Sequence, residues 1–183
     1  MTGALHADAL RVLAALVPDD PGQEALRRQF LAYLRAHPDA GWRSCAPDHL
    51  TASALVLHAD RTAVLLGLHR KVGRWLQFGG HLEPTDRTLA GTALREATEE
   101  SGVAGLALVG DRPVRLDAHP APCDPGRVER HLDVQYLAVA PPGASPSTST
   151  ESHDVRWFAV DDLPAGTDPS VRALVAAARR TAG

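Results

Sequence analysis

Glu96, Glu99 and Glu100 are spaced i, i+3 and i+4 in the segment Arg95-Glu-Ala-Thr-Glu-Glu-Ser-Gly-Val103. On a helix that spacing turns three carboxylates toward a common point. Such a cluster repels itself unless cations fill it. Hard divalent cations of the Mg²⁺ kind take oxygen ligands and also hold phosphate oxygens. Upstream stands Gly79-Gly80-His81-Leu82-Glu83-Pro84-Thr85-Asp86. Two glycines let the backbone approach a metal or a substrate closely, because no Cβ intervenes. Arg95 can balance part of the acidic charge, and Gly102 suits the residue just past a helix C-terminus. Taken alone, the acidic run also fits a solvated helix face. The double glycine ahead of it favours a phosphate-and-metal site.

The elements that must position these residues follow from apolar periodicity. Helices are predicted over 4–17 and from Pro21 to the stop at His37-Pro38, forming a helical hairpin. Apolar strand-like runs follow at Leu50 to His58 and Thr62 to His69, extended by Trp75 to Phe78. A helix is predicted over 87–101, with Leu89, Ala90, Ala93, Leu94 and Ala97 as its apolar face. Strands are expected at 106–109, 114–118, 132–140 and 155–160, then a last helix over 169–180. The Pro/Ser/Thr-rich stretch 141–152 reads as a mobile loop between strands.

The segment 79–103 resembles the Nudix box: Gly, five residues, Glu, seven residues, then Arg-Glu-apolar-x-Glu-Glu-x-Gly-apolar. The second half matches position by position. In the first half, Asp86 stands where the family has Glu, and eight residues rather than seven separate it from Arg95. Asp86 is therefore read as the N-cap of a helix beginning near Arg87, with Glu83 supporting the loop. The resemblance runs from about 50 to 165 and includes Trp157 to Pro164 as a closing strand and turn.

The resemblance implies an α/β chain folded as a Nudix-type α/β/α sandwich with a mixed β-sheet. Residues 1–45 form a helical N-terminal extension outside it, packed on the core or on a second subunit of a homodimer, and 46–183 form the Nudix domain. The implied reaction is hydrolysis of a diphosphate linkage in a nucleoside diphosphate joined to another group, or in a nucleoside triphosphate. The resemblance further implies Mg²⁺, or Mn²⁺ in its place, held by Gly80, Glu96, Glu99 and Glu100. Gly79, Gly80 and His81 bind substrate. Arg95, Glu99 and Glu151 are the catalytic candidates, with Glu99 or Glu151 taking the proton of the attacking water. A nucleotide or sugar-nucleotide sensor without turnover is the alternative from the binding class.

Nine histidines are many for 183 residues, and His49, His81, His119 and His131 fall near the box or in strand regions. Any one of them fits a quiet strand end. Together they suggest a second metal site of His49, His81 and His131, with Asp133 as a further ligand. Isopentenyl-diphosphate isomerases share the Nudix fold and use a histidine-rich metal site with a Cys-Gly-His segment resembling Gly79-Gly80-His81, and His49 and His131 fall in comparable strand regions, so the resemblance also implies that site. Here the cysteine's position is Gly79, which removes that reaction's acid.

Composition bounds the remainder. The chain is 44% apolar with net charge -3, enough for one core and without the basic surface that holds a polymeric nucleic acid. Lys71 is the only lysine among 19 basic residues, a pattern read as GC-rich coding. Cys45 and Cys123 form no CxxC pair, and two idle thiols in a reducing cytosol are expected. No signal peptide or membrane span is predicted, so a cytoplasmic protein acting on a small phosphorylated molecule is expected.

Overall fold

A computed structural model describes residues 3–18, 20–120 and 130–181. Its elements are α1 (Gly3–Ala15), α2 (Pro21–Ala36), β1 (Asp48–Leu57), β2 (Ala63–His69), β3 (Trp75–Leu76), β4 (Phe78–His81), α3 (Leu89–Ser101), β5 (Ala107–Leu108), β6 (Arg115–Pro120), β7 (Arg130–Val139), β8 (Ser152–Ala159) and α4 (Pro169–Thr181). Every helix and strand expected from periodicity is present. The segment expected as one run from Trp75 to Phe78 is split at Gln77 into β3 and β4, which pair with β2 and β1 respectively.

β1 and β7 form the centre of a mixed sheet, parallel to one another from Asp48↔Arg130 to Leu57↔Val139. β4 flanks β1, and β6 flanks β7, both antiparallel. Side chains alternate across such strands, and the two faces differ in kind. Leu50, Ala52 and Ala54 of β1 and Leu132, Val134 and Tyr136 of β7 join one buried cluster with Ala93 and Ala97 of α3. On the other face Leu55, Leu57 and Leu137 pack with Val171, Leu174 and Val175 of α4. Helices on both faces give the expected α/β/α sandwich.

The N-terminal hairpin packs on this core. Leu5, Ala9 and Leu13 of α1 and Phe30 and Leu34 of α2 are fully buried in the same cluster as β1, β7 and α3. Asp20 caps α2 through the Gln23 N–H, with Pro21 in the first turn where its missing N–H costs nothing. Gln23 is buried and grips β6, accepting the Leu116 N–H at 2.7 Å and donating to the Leu116 carbonyl at 3.0 Å. Cys45 is buried; Cys123 lies outside the described residues. Among the described residues no helix is long and apolar enough to cross a membrane.

Candidate active site

α3 carries the glutamates, and both of its ends are defined by side-chain chemistry. Thr88, not Asp86, is the N-cap: its hydroxyl accepts the Gly91 N–H at 3.0 Å, and the helix starts at Leu89. The cap expected at Asp86 is therefore corrected by two residues. At the other end Gly102 is left-handed at φ 66°, and its N–H returns to the Thr98 carbonyl. The 141–152 loop closes over this end, with the Ser147 N–H bonded to the Ser101 carbonyl at 2.9 Å.

Asp86 binds Arg95 instead. Its two oxygens accept from Nε and Nη2 of Arg95 at 3.1 and 3.0 Å, a bidentate pair. The same carboxylate accepts from the Glu83 N–H at 2.8 Å and the Thr92 hydroxyl at 2.9 Å. Burial acts to raise its pKa, but these donors outweigh it and hold Asp86 below the usual carboxylate range. The pairing works with the shorter acid and the extra residue of this loop.

Arg95 thus sits at the centre of the acidic cluster. Besides Asp86 it reaches Glu96 at 3.0 Å, Glu99 at 3.2 Å and the His81 carbonyl at 3.1 Å. The hydrogen bond to Asp86 raises its pKa further, so it stays a fixed cation.

The three glutamates do not share one environment. Glu100 is turned inward and accepts the Gly79 N–H at 3.2 Å. Burial, with the charges of Glu151 and Glu96, pushes its carboxyl up to about 8. Glu96 lies against Gly80, where a Cβ would come within 2.8 Å of its carboxylate. Burial raises Glu96 as well, partly offset by Arg95. Glu99 is different: its side chain is 60% exposed and pairs with Arg95.

Glu151 precedes β8, and its backbone carbonyl accepts the Arg70 N–H at 2.9 Å. Its charge acts on both Glu100 and Glu96. The fold therefore brings together Gly79, Gly80, Arg95, Glu96, Glu100 and Glu151, with Glu99 at the rim. Glu96 and Glu100, half-buried carboxyls whose protons are held by burial and by neighbouring acids, are the electrostatic counterpart of a cation site.

His81 ends β4, two residues past Gly79, and its ring turns to the sheet face opposite α3. There it meets His49 and His131. Burial lowers all three, His81 to about 4 and His131 to about 3, with Arg43 adding to the effect on each and neighbouring rings adding to it on His81 and His131. Asp133 does not join them. It is fully buried, and it accepts from Thr51, Ser53 and Gln135 at 3.0, 2.7 and 3.2 Å. Asp117, which pairs with His119 at 2.8 Å, was not anticipated by motif reasoning. The two-residue spacing Asp117-x-His119 on a strand was its signal.

A NUDIX domain model matches residues 47–178, well over half of the chain. No curated protein matches by sequence. Among solved structures, a NUDIX-family hydrolase from Clostridium perfringens superposes with a TM-score of 0.59 at 22% identity, covering 74% of this chain and 98% of that one. A C. elegans Ap4A hydrolase binary complex gives 0.60 at 16% identity, covering 72% and 96%. The NUDIX domain of Shewanella oneidensis NrtR, complexed with ADP ribose, gives 0.53 at 20% identity, covering 73% and 88%. With the box helix, its loop and the sandwich in place, the chain belongs to the NUDIX family, as a Nudix pyrophosphohydrolase.

Proposed function

We propose that the protein hydrolyses a diphosphate linkage in a nucleoside diphosphate joined to another group, or in a nucleoside triphosphate, with Mg²⁺ as its cation and Mn²⁺ as a substitute. The convergence of Glu96, Glu100 and Glu151 on the Gly79-Gly80 backbone carries this reading. The donor set is all oxygen, which suits a hard cation, and Gly80 has no side chain to block its carbonyl. Glu96, Glu100 and the Gly80 carbonyl would hold the ion, with Glu99 reaching in from the rim. When bound, the cation neutralises charge on the diphosphate as the linkage breaks and makes water a better nucleophile.

Glu151 is assigned as general base, ahead of Glu99. Its charge acts on both Glu96 and Glu100, while Glu99 is committed to Arg95. Its carboxylate takes the proton of the water that attacks phosphorus. Arg95 orients Glu96 and Glu99 and fixes the His81 carbonyl, which keeps the Gly79 to His81 backbone in place for the substrate's phosphates.

Phosphate release from a panel of ADP-ribose, Ap4A and nucleoside triphosphates, at several Mg²⁺ and Mn²⁺ concentrations, tests the reading. Turnover of at least one compound is expected. Glu100→Gln should lower kcat by roughly 10²–10³-fold, and Glu151→Gln by roughly 10²–10⁴-fold, as removal of a general base does. Ligand binding with no cleavage under any of these conditions would overturn it.

A further inference from the structure

We propose that His49, His81 and His131 form a second metal centre, taking one borderline transition ion of the zinc class, distinct from the glutamate cluster. The three rings come from β1, β4 and β7, and their ligand nitrogens all lie within 4.8 Å of one another. His49 and His131 face each other directly across the parallel ladder, and His81 stands opposite Thr51, one diagonal step from His49. The Nε2 atoms of His49 and His81 are 3.0 Å apart.

Tetrahedral zinc holds its nitrogens at about 2.0–2.1 Å, which sets them roughly 3.3 Å from one another. Small side-chain rotations would bring the trio to that geometry, and the strands that carry it need not move. Ligands on adjacent strands of a paired sheet are better fixed than ligands on loops.

The donors also discriminate. Three imidazoles with no carboxylate among them suit zinc-class ions over Mg²⁺, whereas the glutamate cluster offers oxygens alone. Asp133 is held away by Thr51, Ser53 and Gln135. His119 meets His131 edge to face with a ring separation of 5.3 Å, but its Nδ1 is engaged by Asp117. Three protein ligands leave a fourth position for water or an anionic oxygen. His81 and His131 are part-buried.

The centre is wired to the box through one residue. His81 follows Gly80, and its carbonyl accepts from Arg95. An ion at the histidines therefore fixes the backbone on which the glutamate site is built.

The test is metal binding to the chelator-stripped chain in excess Mg²⁺, which keeps the oxygen site filled. A single equivalent of Zn²⁺ should be retained on dialysis, and Co²⁺ should show the visible absorption of a tetrahedral site. His81→Asn and His131→Asn should each weaken zinc binding by about tenfold or more. Glu100→Gln should leave the cobalt spectrum unchanged. In the unsubstituted protein, Zn²⁺ should shift the ring resonances of His49, His81 and His131 and spare His6 and His58, a measurement independent of how the variants fold. Absence of the tetrahedral spectrum, shifts confined to other histidines, or a spectrum lost in Glu100→Gln and kept in His81→Asn would each overturn the proposal. None of these readouts needs turnover, so they stand apart from the hydrolysis assay.

Discussion

The carboxylate of Asp8, in the first helix of the chain, accepts the backbone N–H of Leu89, the first residue of the helix that carries the glutamates. The bond is 2.9 Å long, and Asp8 is only 8% exposed. First-turn N–H groups of a helix lack intrahelical partners, and an anion there also meets the positive end of the helix dipole. The N-terminal hairpin is thereby coupled to the candidate active site.

Asp8→Ala removes that bond and the Arg11 pair. A loss of about 1–2 kcal/mol is expected, on the scale of a lost helix cap. Denaturant melts would show it as a lower midpoint at unchanged slope. An unaltered midpoint would mean that the hairpin does not support α3.

Gly79 and Gly80 should respond oppositely to alanine. A Cβ on Gly79 would overlap the Cα and Cβ of Ser53 on the neighbouring strand, where backbone must move. On Gly80 it would meet only the flexible end of Glu96. Gly79→Ala is expected to lower thermal stability sharply. Gly80→Ala is expected to fold normally and lose divalent-cation affinity, measured by calorimetry.

Asp86 and Arg95 form the pair that replaces the box's usual glutamate–arginine spacing. Asp86→Ala should destabilise by about 2–3 kcal/mol, as loss of hydrogen bonds to a charged group does. Asp86→Glu adds a methylene to a buried, four-donor site and should cost roughly 1–3 kcal/mol by overpacking. Restoring the family's residue type is thus expected to harm this chain, and a more stable Asp86→Glu protein would contradict the geometry.

Glu100 sets a pH dependence. Its folded pKa of about 8 exceeds its ordinary 4.5, so between these values the folded state holds a proton that the unfolded chain has released. Metal-free stability should therefore fall as pH rises from about 4.5 to about 8. Glu100→Gln should flatten that slope in melts run with chelator. Divalent-cation affinity should move the other way, rising by up to about tenfold per pH unit below 8.

Much of this molecule is legible from its sequence because its signals are local. The spacing of Glu96, Glu99 and Glu100 requires only a helix to bring them to one side. The two-residue alternation of His49, Thr51 and Ser53 against Leu50, Ala52 and Ala54 likewise needs only a strand. Gly102 terminates α3 for a reason internal to that residue. Asp86 was misplaced as a cap because capping is judged from neighbours in sequence. Its real partner, Arg95, lies nine residues on and meets it only once the loop has folded back.

The family, the order of helices and strands, and the candidate cation ligands could all be read from the chain alone, because periodicity and motif spacing are properties of short segments. Only the tertiary structure shows which of those residues lie together. It turned Glu100 inward and left Glu99 in solvent, drew Glu151 to the cluster from fifty residues away, and set His49, His81 and His131 side by side across three strands. Burial and long-range register are fixed by packing between segments, and no single stretch of the chain encodes them.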